Sequence, residues 1–99
     1  MEFIEPLKTG FTIYSKSGCS YCTKAKNLLT QSNFLFEEIN CDDYLIEDKA
    51  NFLFFIKEKA GKEYKSFPII FKDANFIGGF TETQDYVNKI ICFDENVDF

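Results

Sequence analysis

The sequence predicts one α/β domain, a four-stranded mixed sheet with three helices in the order β-α-β-α-β-β-α. The length supports a single domain, because two halves of a 99-residue chain would each be too small to bury a stable core. A helix-like segment between two strand-like segments near the N-terminus, and a hairpin before a last helix, set the order. The domain is predicted to span 1–99, with an irregular arm over 1–10 and an acidic tail over 94–99.

The first three elements are predicted to form a β-α-β unit. Residues 11–15 alternate apolar and polar side chains, as a short strand does. Over 20–32 apolar residues recur every three or four positions, which is typical of an amphipathic helix, and Asn33 suits a left-handed helix end. A second strand is predicted over 34–39, and the helical connection makes the two strands parallel.

A second helix is predicted over 44–60. Asp42 and Asp43 can cap its start, and Gly61 can end it. The apolar run 52–56 inside this segment could instead be a buried strand, but the helical stripe of apolar residues and the caps favour the helix.

The C-terminal third is predicted to hold a hairpin and a third helix. Residues 68–71 read as a third strand, and 76–77 as a short fourth strand after a turn. Thr81 and Gln84 have the spacing of a capping box, in which both side chains satisfy free amides at a helix start. A helix is therefore predicted over 82–91.

Charge and composition exclude several kinds of partner. Sixteen acidic and eleven basic residues give a net charge of −5, which repels phosphate backbones and anionic lipid alike. The longest apolar run is far shorter than the roughly 20 residues of a membrane span. The first residues carry acids where a signal peptide has a basic stretch. We therefore expect a cytosolic monomer whose partners include neither nucleic acid nor a membrane.

The absence of histidine narrows the possible chemistry to cysteine. It excludes histidine-based acid–base catalysis, Cys-His nucleophile pairs and Cys-His metal sites. Four cysteines in 99 residues fall below the roughly 8–10% of a disulfide-built secreted domain, so the thiols are expected to be reduced in the cell.

The main functional signal is the pair Cys19 and Cys22, placed between a predicted strand and a predicted helix. A thiolate at a helix N-terminus is stabilised by the helix dipole and by the nearby cation Lys16, so a lowered pKa is expected for Cys19. Cys22, one turn further along, can close a disulfide with Cys19 and reopen it. Two inert core cysteines, or half of a zinc site, are the alternatives.

The other two cysteines, Cys41 and Cys92, bear on the zinc alternative. Without histidine, a zinc site would need these cysteines or carboxylates as further ligands, and they lack the paired spacing of a structural site. Both are predicted to be small core residues with no assigned role.

Two weaker signals follow later in the chain. Pro68 opens a predicted strand and can hold a rigid turn that faces the cysteine pair. Gly78 and Gly79 allow a ligand to approach closely, and the helix start after them offers free amides to a carboxylate. A plain hairpin exit would explain the two glycines equally well.

Together these residues resemble the glutaredoxin family over roughly residues 10–92. Lys16 three residues before the C-S-Y-C motif, Ser66-Phe67-Pro68 and Gly78-Gly79-Phe80-Thr81 carry the resemblance. It implies a thioredoxin-like fold, a cis peptide bond at Pro68, and glutathione or a glutathionylated thiol as substrate. The predicted function is therefore a glutathione-dependent thiol–disulfide oxidoreductase, with ribonucleotide reductase as one family-level candidate partner.

The resemblance also implies a role for each residue of the site. Cys19 is the implied nucleophile and Cys22 the implied resolving thiol. The resemblance also implies which residues bind glutathione. Lys16 and Lys57 would lie near the glycine carboxylate, and Tyr21 would line the groove. Phe67 and Pro68 would contact the cysteinyl unit, and Gly79, Phe80 and Thr81 would bind the γ-glutamyl carboxylate.

Ser20 is the departure from the family pattern with the largest consequence, because many members have proline there. With serine at this position the motif resembles that of members that carry a 2Fe-2S cluster between two subunits and two glutathiones. A cluster carrier that uses Cys19 as a ligand is therefore the alternative function, whereas Cys22 argues for a disulfide reductase. Thioredoxin and protein disulfide isomerase fit worse, because the motif contains no tryptophan, Gly-Pro or histidine.

Overall fold

The structure, a computed structural model, describes the backbone of residues 1–97 and the side chains of residues 1–91. The predicted order of elements is confirmed, except that the second predicted helix is divided in two. The elements are β1 (Phe11–Ser15), α1 (Ser20–Gln31), β2 (Phe36–Asn40), α2 (Asp42–Glu47), α3 (Lys49–Ala60), β3 (Ile69–Lys72), β4 (Asn75–Gly78) and α4 (Phe80–Val97).

The four strands form one mixed sheet, as predicted, and their order across the sheet is β2-β1-β3-β4. Strand β1 is parallel to β2 and antiparallel to β3, and β3 is antiparallel to β4. Tyr14 near the end of β1 pairs with Ile69 at the start of β3, and Ile70 pairs with Gly78 at the end of β4. The segments that follow β1, precede β3 and follow β4 therefore lie close together at the same end of the strands.

The core has two apolar clusters. One contains Phe11 and Ile13 from β1 and packs with buried residues of α1 and α4. The other contains Tyr14 and packs with Phe52 and Ile56 of α3. Successive side chains of a strand point to opposite faces, so β1 supplies both clusters and is buried throughout.

The second predicted helix is interrupted at Asp48, whose φ of −155° and ψ of 51° leave the helical region. The sequence carries no glycine or proline to mark this break, but aspartate is a favoured residue before a helix start. The Asp48 carbonyl accepts a hydrogen bond from the Phe52 amide at 3.0 Å, so α3 begins directly after α2. The alternative of a strand over 52–56 is wrong, because these residues lie inside α3.

The last helix begins two residues earlier than predicted and continues to Val97. The predicted capping box of Thr81 and Gln84 is wrong. The cap is formed instead at Gly79, whose amide donates to the Glu82 carboxylate at 2.8 Å. The predicted tail begins as helix over 94–97, and its last two residues lie outside the described residues. Other predicted boundaries agree to within two residues, and Asn33 and Gly61 end their helices with positive φ.

The N-terminal arm, 1–10, contains neither helix nor strand but packs against the α3 side of the sheet. Phe3 contacts Phe52 edge-on at 5.5 Å between ring centroids, and the Tyr14 hydroxyl donates to the Ile4 carbonyl at 2.6 Å. Over 1–97 the structure has no helix with the length and apolar character that crossing a membrane requires.

Candidate active site

Cys19 and Cys22 lie at the start of α1 and form a disulfide, with their α-carbons 5.3 Å apart. Cys19 is the residue before the helix, and its sulfur accepts a hydrogen bond from the Cys22 amide at 3.1 Å. Cys19 is partly exposed, whereas Cys22 is only 2% exposed. An external thiol or disulfide can therefore reach the pair through Cys19, while Cys22 is the inner sulfur.

The loop that presents Cys19 is held by a carboxylate from α2. The Asp42 side chain accepts hydrogen bonds from the Ser17 amide, at 2.9 Å, and from the Ser17 hydroxyl. These bonds lower the pKa of Asp42, which keeps the carboxylate ionised. Gly18 follows with a φ of +71°, a backbone conformation that favours glycine. Sequence reasoning used Asp42 only as a helix cap and missed this contact across the fold.

The structure brings six of the predicted binding residues together beside the disulfide. The Phe67–Pro68 peptide bond is cis, and the rings of Tyr21 and Phe80 lie 5.9 Å apart. These residues line a groove of about 180 Å³, whose walls are Tyr21, Tyr64, Phe67, Pro68, Gly79, Phe80, Thr81 and Glu82. Two of them, Tyr64 and Glu82, were missed by sequence reasoning.

A second hollow, of about 200 Å³, adjoins the groove at Phe67 and is lined by three lysines, Lys16, Lys49 and Lys65. The Lys16 ammonium lies 5.3 Å from the centre of the Phe67 ring. Lys57 lines a neighbouring hollow with Phe54 and Glu63, and this hollow shares Lys65 with the lysine hollow and Tyr64 with the groove. Lys16 therefore lines the hollow at Phe67 itself, and Lys57 lines the next one. The sequence analysis did not predict Lys49 or Lys65 as site residues. Lys65 could have been found, because it lies two residues before Phe67 in the sequence.

A wider polar cleft of about 490 Å³ contacts both cysteines and is lined also by Lys26 and Glu38. The Glu38 carboxylate accepts hydrogen bonds from the Ser15 hydroxyl at 2.7 Å and from the Lys26 ammonium at 3.0 Å. The bond from Ser15 is the main cause of a lowered Glu38 pKa. The cleft therefore has a fixed ion pair on the β2 side of the disulfide.

Among residues 1–91, no group of three His, Cys, Asp or Glu side chains is arranged to hold a metal ion. A cluster shared by two subunits would need only Cys19 from each chain, and the partial exposure of Cys19 fits such a ligand. The cluster-carrier function stays a prediction from Ser20. The side chain of Cys92 lies outside the described residues.

Cys41 is a buried free thiol in the α3-side core cluster. Burial, together with the nearby Asp42, raises the pKa of Cys41 from 9.0 to about 12. An unfolded chain loses this proton first, so the folded state binds the proton more tightly and the free energy of unfolding falls as pH rises from 9 towards 12.

We expect this effect of Cys41 to have lowered the free energy of unfolding by about 2 kcal/mol when the pH reaches about 10.5. Urea denaturation at neutral and alkaline pH checks the prediction, with Cys41→Ala as the comparison. The variant should lose less stability than the wild type between the two pH values. Equal losses would show that Cys41 does not titrate in this way.

The fold and the site together define a thioredoxin-like domain that carries a redox-active cysteine pair. The family model named Glutaredoxin matches residues 11–77, and the chain belongs to the glutaredoxin family.

The relatives agree with this assignment. Glutaredoxin 1 of Rickettsia felis is 42% identical over 67 residues, which are 68% of this chain and 61% of that protein. Glutaredoxin 1 of Escherichia coli is 32% identical over 84 residues, covering 78% of this chain and 91% of the relative. The crystal structure of Glutaredoxin 1 from Francisella tularensis has a TM-score of 0.71 and 34% identity, and covers 82% of this chain and 94% of that one. The chain thus spans about three fifths of the length of the Rickettsia felis relative.

Proposed function

We propose that the protein is a glutathione-dependent thiol–disulfide oxidoreductase, which reduces glutathionylated thiols and protein disulfides. One observation carries the proposal. A partly exposed Cys19 at a helix start is bonded to a buried Cys22, next to a groove of about 180 Å³ that adjoins a hollow lined by three lysines. Glutathione is abundant in reducing compartments such as the cytosol, which is where we propose that the protein acts as a monomer.

The chemistry follows from thiol–disulfide exchange. The Cys19 thiolate attacks the glutathionyl sulfur of a mixed disulfide, a new sulfur–sulfur bond forms, and the substrate thiolate leaves and takes a proton. A second glutathione thiolate then attacks the glutathionyl sulfur, which releases glutathione disulfide and restores Cys19. For a protein disulfide, Cys22 attacks the Cys19 mixed disulfide instead, and two glutathiones reduce the resulting pair.

The helix start supports the reactivity of Cys19. The Cys22 amide donates to the Cys19 sulfur, and the N-terminal end of the α1 dipole lies at the same position. Both effects stabilise the thiolate relative to the thiol, so they favour both its formation and its departure from a mixed disulfide.

The groove and the lysine hollow suggest how glutathione lies. Tyr21, Phe67 and Pro68 line the groove, and we assign the backbone of Phe67 to pair with the cysteinyl unit. The first amides of α4, at Phe80 and Thr81, can donate to the γ-glutamyl carboxylate because amides in a first helical turn have no intrahelical partner.

The glycine carboxylate at the other end of glutathione is assigned to Lys16, Lys49 and Lys65. These three lysines surround one hollow beside Phe67, whereas Lys57 does not line it and lies in the adjacent hollow on the far side of Lys65. We propose this set in place of the pairing of Lys16 with Lys57 that the resemblance implies.

Lys49→Met is therefore expected to raise the KM for glutathione about threefold with little change in kcat, because an exposed ion pair contributes about 0.2–1 kcal/mol. Lys57→Met is the matched control on the same helix and should change KM less. The difference should shrink between about 0.05 and 0.5 M salt, since exposed charges are screened. A larger effect of Lys57→Met would restore the original assignment.

The proposed function is tested by glutathione-coupled reduction of a small mixed disulfide by the purified protein. Turnover supports the proposal if it requires glutathione. Control reactions without the protein, run without dithiothreitol, should show no turnover. Absence of turnover with the fully reduced, folded wild type would refute it.

A further inference from the structure

Tyr64 is a groove residue with no role in the site predicted from the sequence. It lies in the connection between α3 and β3, four residues before Pro68. Its ring packs edge-on against Phe76 of β4, with 4.9 Å between the ring centroids. Tyr64 is therefore fixed to the sheet rather than free in the loop, and it forms one wall of the groove.

The hydroxyl of Tyr64 lies at the polar end of the groove, next to Gly79. A β-carbon added to Gly79 would stand 2.7 Å from this hydroxyl oxygen and 3.4 Å from an oxygen of Glu82. Glycine at 79 is thus what leaves room for both polar groups. Among the side chains of residues 1–91, no hydrogen-bond partner occupies the Tyr64 hydroxyl.

The hydroxyl is available as a donor at neutral pH. Burial, followed by the nearby Glu82 carboxylate, raises the pKa of Tyr64 above its ordinary value of 10.0. The proton therefore stays on the oxygen throughout the pH range in which thiols exchange.

The groups around the hydroxyl suit a ligand that carries both a carboxylate and an ammonium group, as the α-carbon of an amino acid does, better than a ligand with a carboxylate alone. The amides of Phe80 and Thr81 begin α4 and are free to donate, while the Gly79 amide is already bonded to Glu82. Two amides and the Tyr64 hydroxyl can surround a carboxylate. The Glu82 carboxylate beside them can receive an ammonium group.

We infer that Tyr64 is a specificity residue for the γ-glutamyl end of glutathione, whose α-carboxylate accepts a hydrogen bond from the Tyr64 hydroxyl. The inference rests on the proposed function and adds to it a residue that selects the substrate. A thiol that lacks the γ-glutamyl group, such as cysteinylglycine, cannot use this contact. Part of the selectivity for glutathione over cysteinylglycine should therefore be lost when the Tyr64 hydroxyl is removed.

The test compares two disulfides as oxidants of the reduced protein, glutathione disulfide and the disulfide of cysteinylglycine. Each reaction oxidises Cys19 and Cys22 to their disulfide and releases two small thiols, and acid quenching with thiol alkylation follows its rate. Tyr64→Phe removes only the hydroxyl and keeps the ring that packs on Phe76. Tyr86→Phe is the matched control, because Tyr86 does not line the groove and lies in a neighbouring hollow that shares only Glu82 with it.

Tyr64→Phe is expected to slow the reaction with glutathione disulfide about tenfold, as loss of a hydrogen bond to a charged group does, and to leave the reaction with cysteinylglycine disulfide within twofold. Tyr86→Phe should change neither rate. Equal slowing with both disulfides would show a merely structural role for Tyr64 and overturn the inference.

The two possible failures are distinguishable. A wild type that prefers glutathione disulfide, with a Tyr64→Phe variant that keeps the full preference, overturns the inference about Tyr64 alone. A wild type without any preference for glutathione disulfide refutes glutathione dependence itself, and the inference with it.

Discussion

Replacement of Cys19 by serine is expected to lower glutathione-coupled reduction of a small mixed disulfide by more than about a thousandfold, because the variant has no nucleophile. Cys22→Ser is expected to retain this activity. The reason is geometric: the partly exposed Cys19 can attack a glutathionyl sulfur and be released by glutathione, without help from the buried Cys22. The measurement is initial rates of all three proteins under identical conditions.

The same variants should behave differently with a protein disulfide as substrate. There Cys22→Ser should also lose turnover, because the Cys19 mixed disulfide with the protein then has no internal thiol to resolve it. Cys41→Ala is the matched control, since Cys41 is a buried thiol away from the pair, and it should keep both activities. Loss of small-disulfide reduction in Cys22→Ser would show that the monothiol step is wrong.

Phe52→Ala is expected to lower the free energy of unfolding by about 3–5 kcal/mol, the range for deleting a buried aromatic side chain. Phe52 is fully buried and lies at the centre of an aromatic cluster. Its ring contacts Phe3 of the arm and Tyr14 of β1, and it stacks on Phe67 at 6.4 Å and 12°. The substitution therefore leaves a cavity between the arm, α3 and the groove.

Phe54→Ala is the matched control, because Phe54 lies two residues along the same helix and is 59% exposed. Its effect on stability should stay within about 0.5 kcal/mol. Urea denaturation followed by circular dichroism measures both variants, and Phe52→Leu extends the series if Phe52→Ala does not fold. Similar losses for Phe52 and Phe54 would contradict the packing described here. Because Phe67 stacks on Phe52, a folded Phe52 variant should also have a raised KM for glutathione.

The sequence determined the cysteine pair and its immediate setting. The reactivity expected of Cys19 depends on a local property, a thiol at the first turn of a helix, and the apolar period of 20–32 places that helix start. The parallel pairing of β1 with β2 and the β3–β4 hairpin followed for a similar reason, since a helical connection and a short turn each restrict how two strands can pair. The pairing of β1 with β3, which completes the sheet, came only from the structure. Local patterns of this kind are visible without the fold.

Local patterns also misplaced some details. The capping box assigned to Thr81 and Gln84 does not form, and half of one forms two residues earlier, where the Gly79 amide donates to the Glu82 carboxylate. Residue spacing alone does not reveal that shift. The break at Asp48 had no glycine or proline to announce it. In both cases several backbone conformations suit the same residues, and packing selects one.

The tertiary structure alone decided which charged and polar groups surround the groove. Lys49 and Lys57 lie on the same helix, eight residues and therefore about 12 Å apart along its axis. The docking of α3 on the sheet places the first of them in the hollow at Phe67 and the second in the adjacent hollow. Tyr64 reaches Gly79, and Asp42 reaches Ser17, across the fold in the same way. A helix period or a motif fixes what lies within a few residues along the chain, whereas these contacts join residues 15 or more positions apart and depend on how the packed elements are oriented.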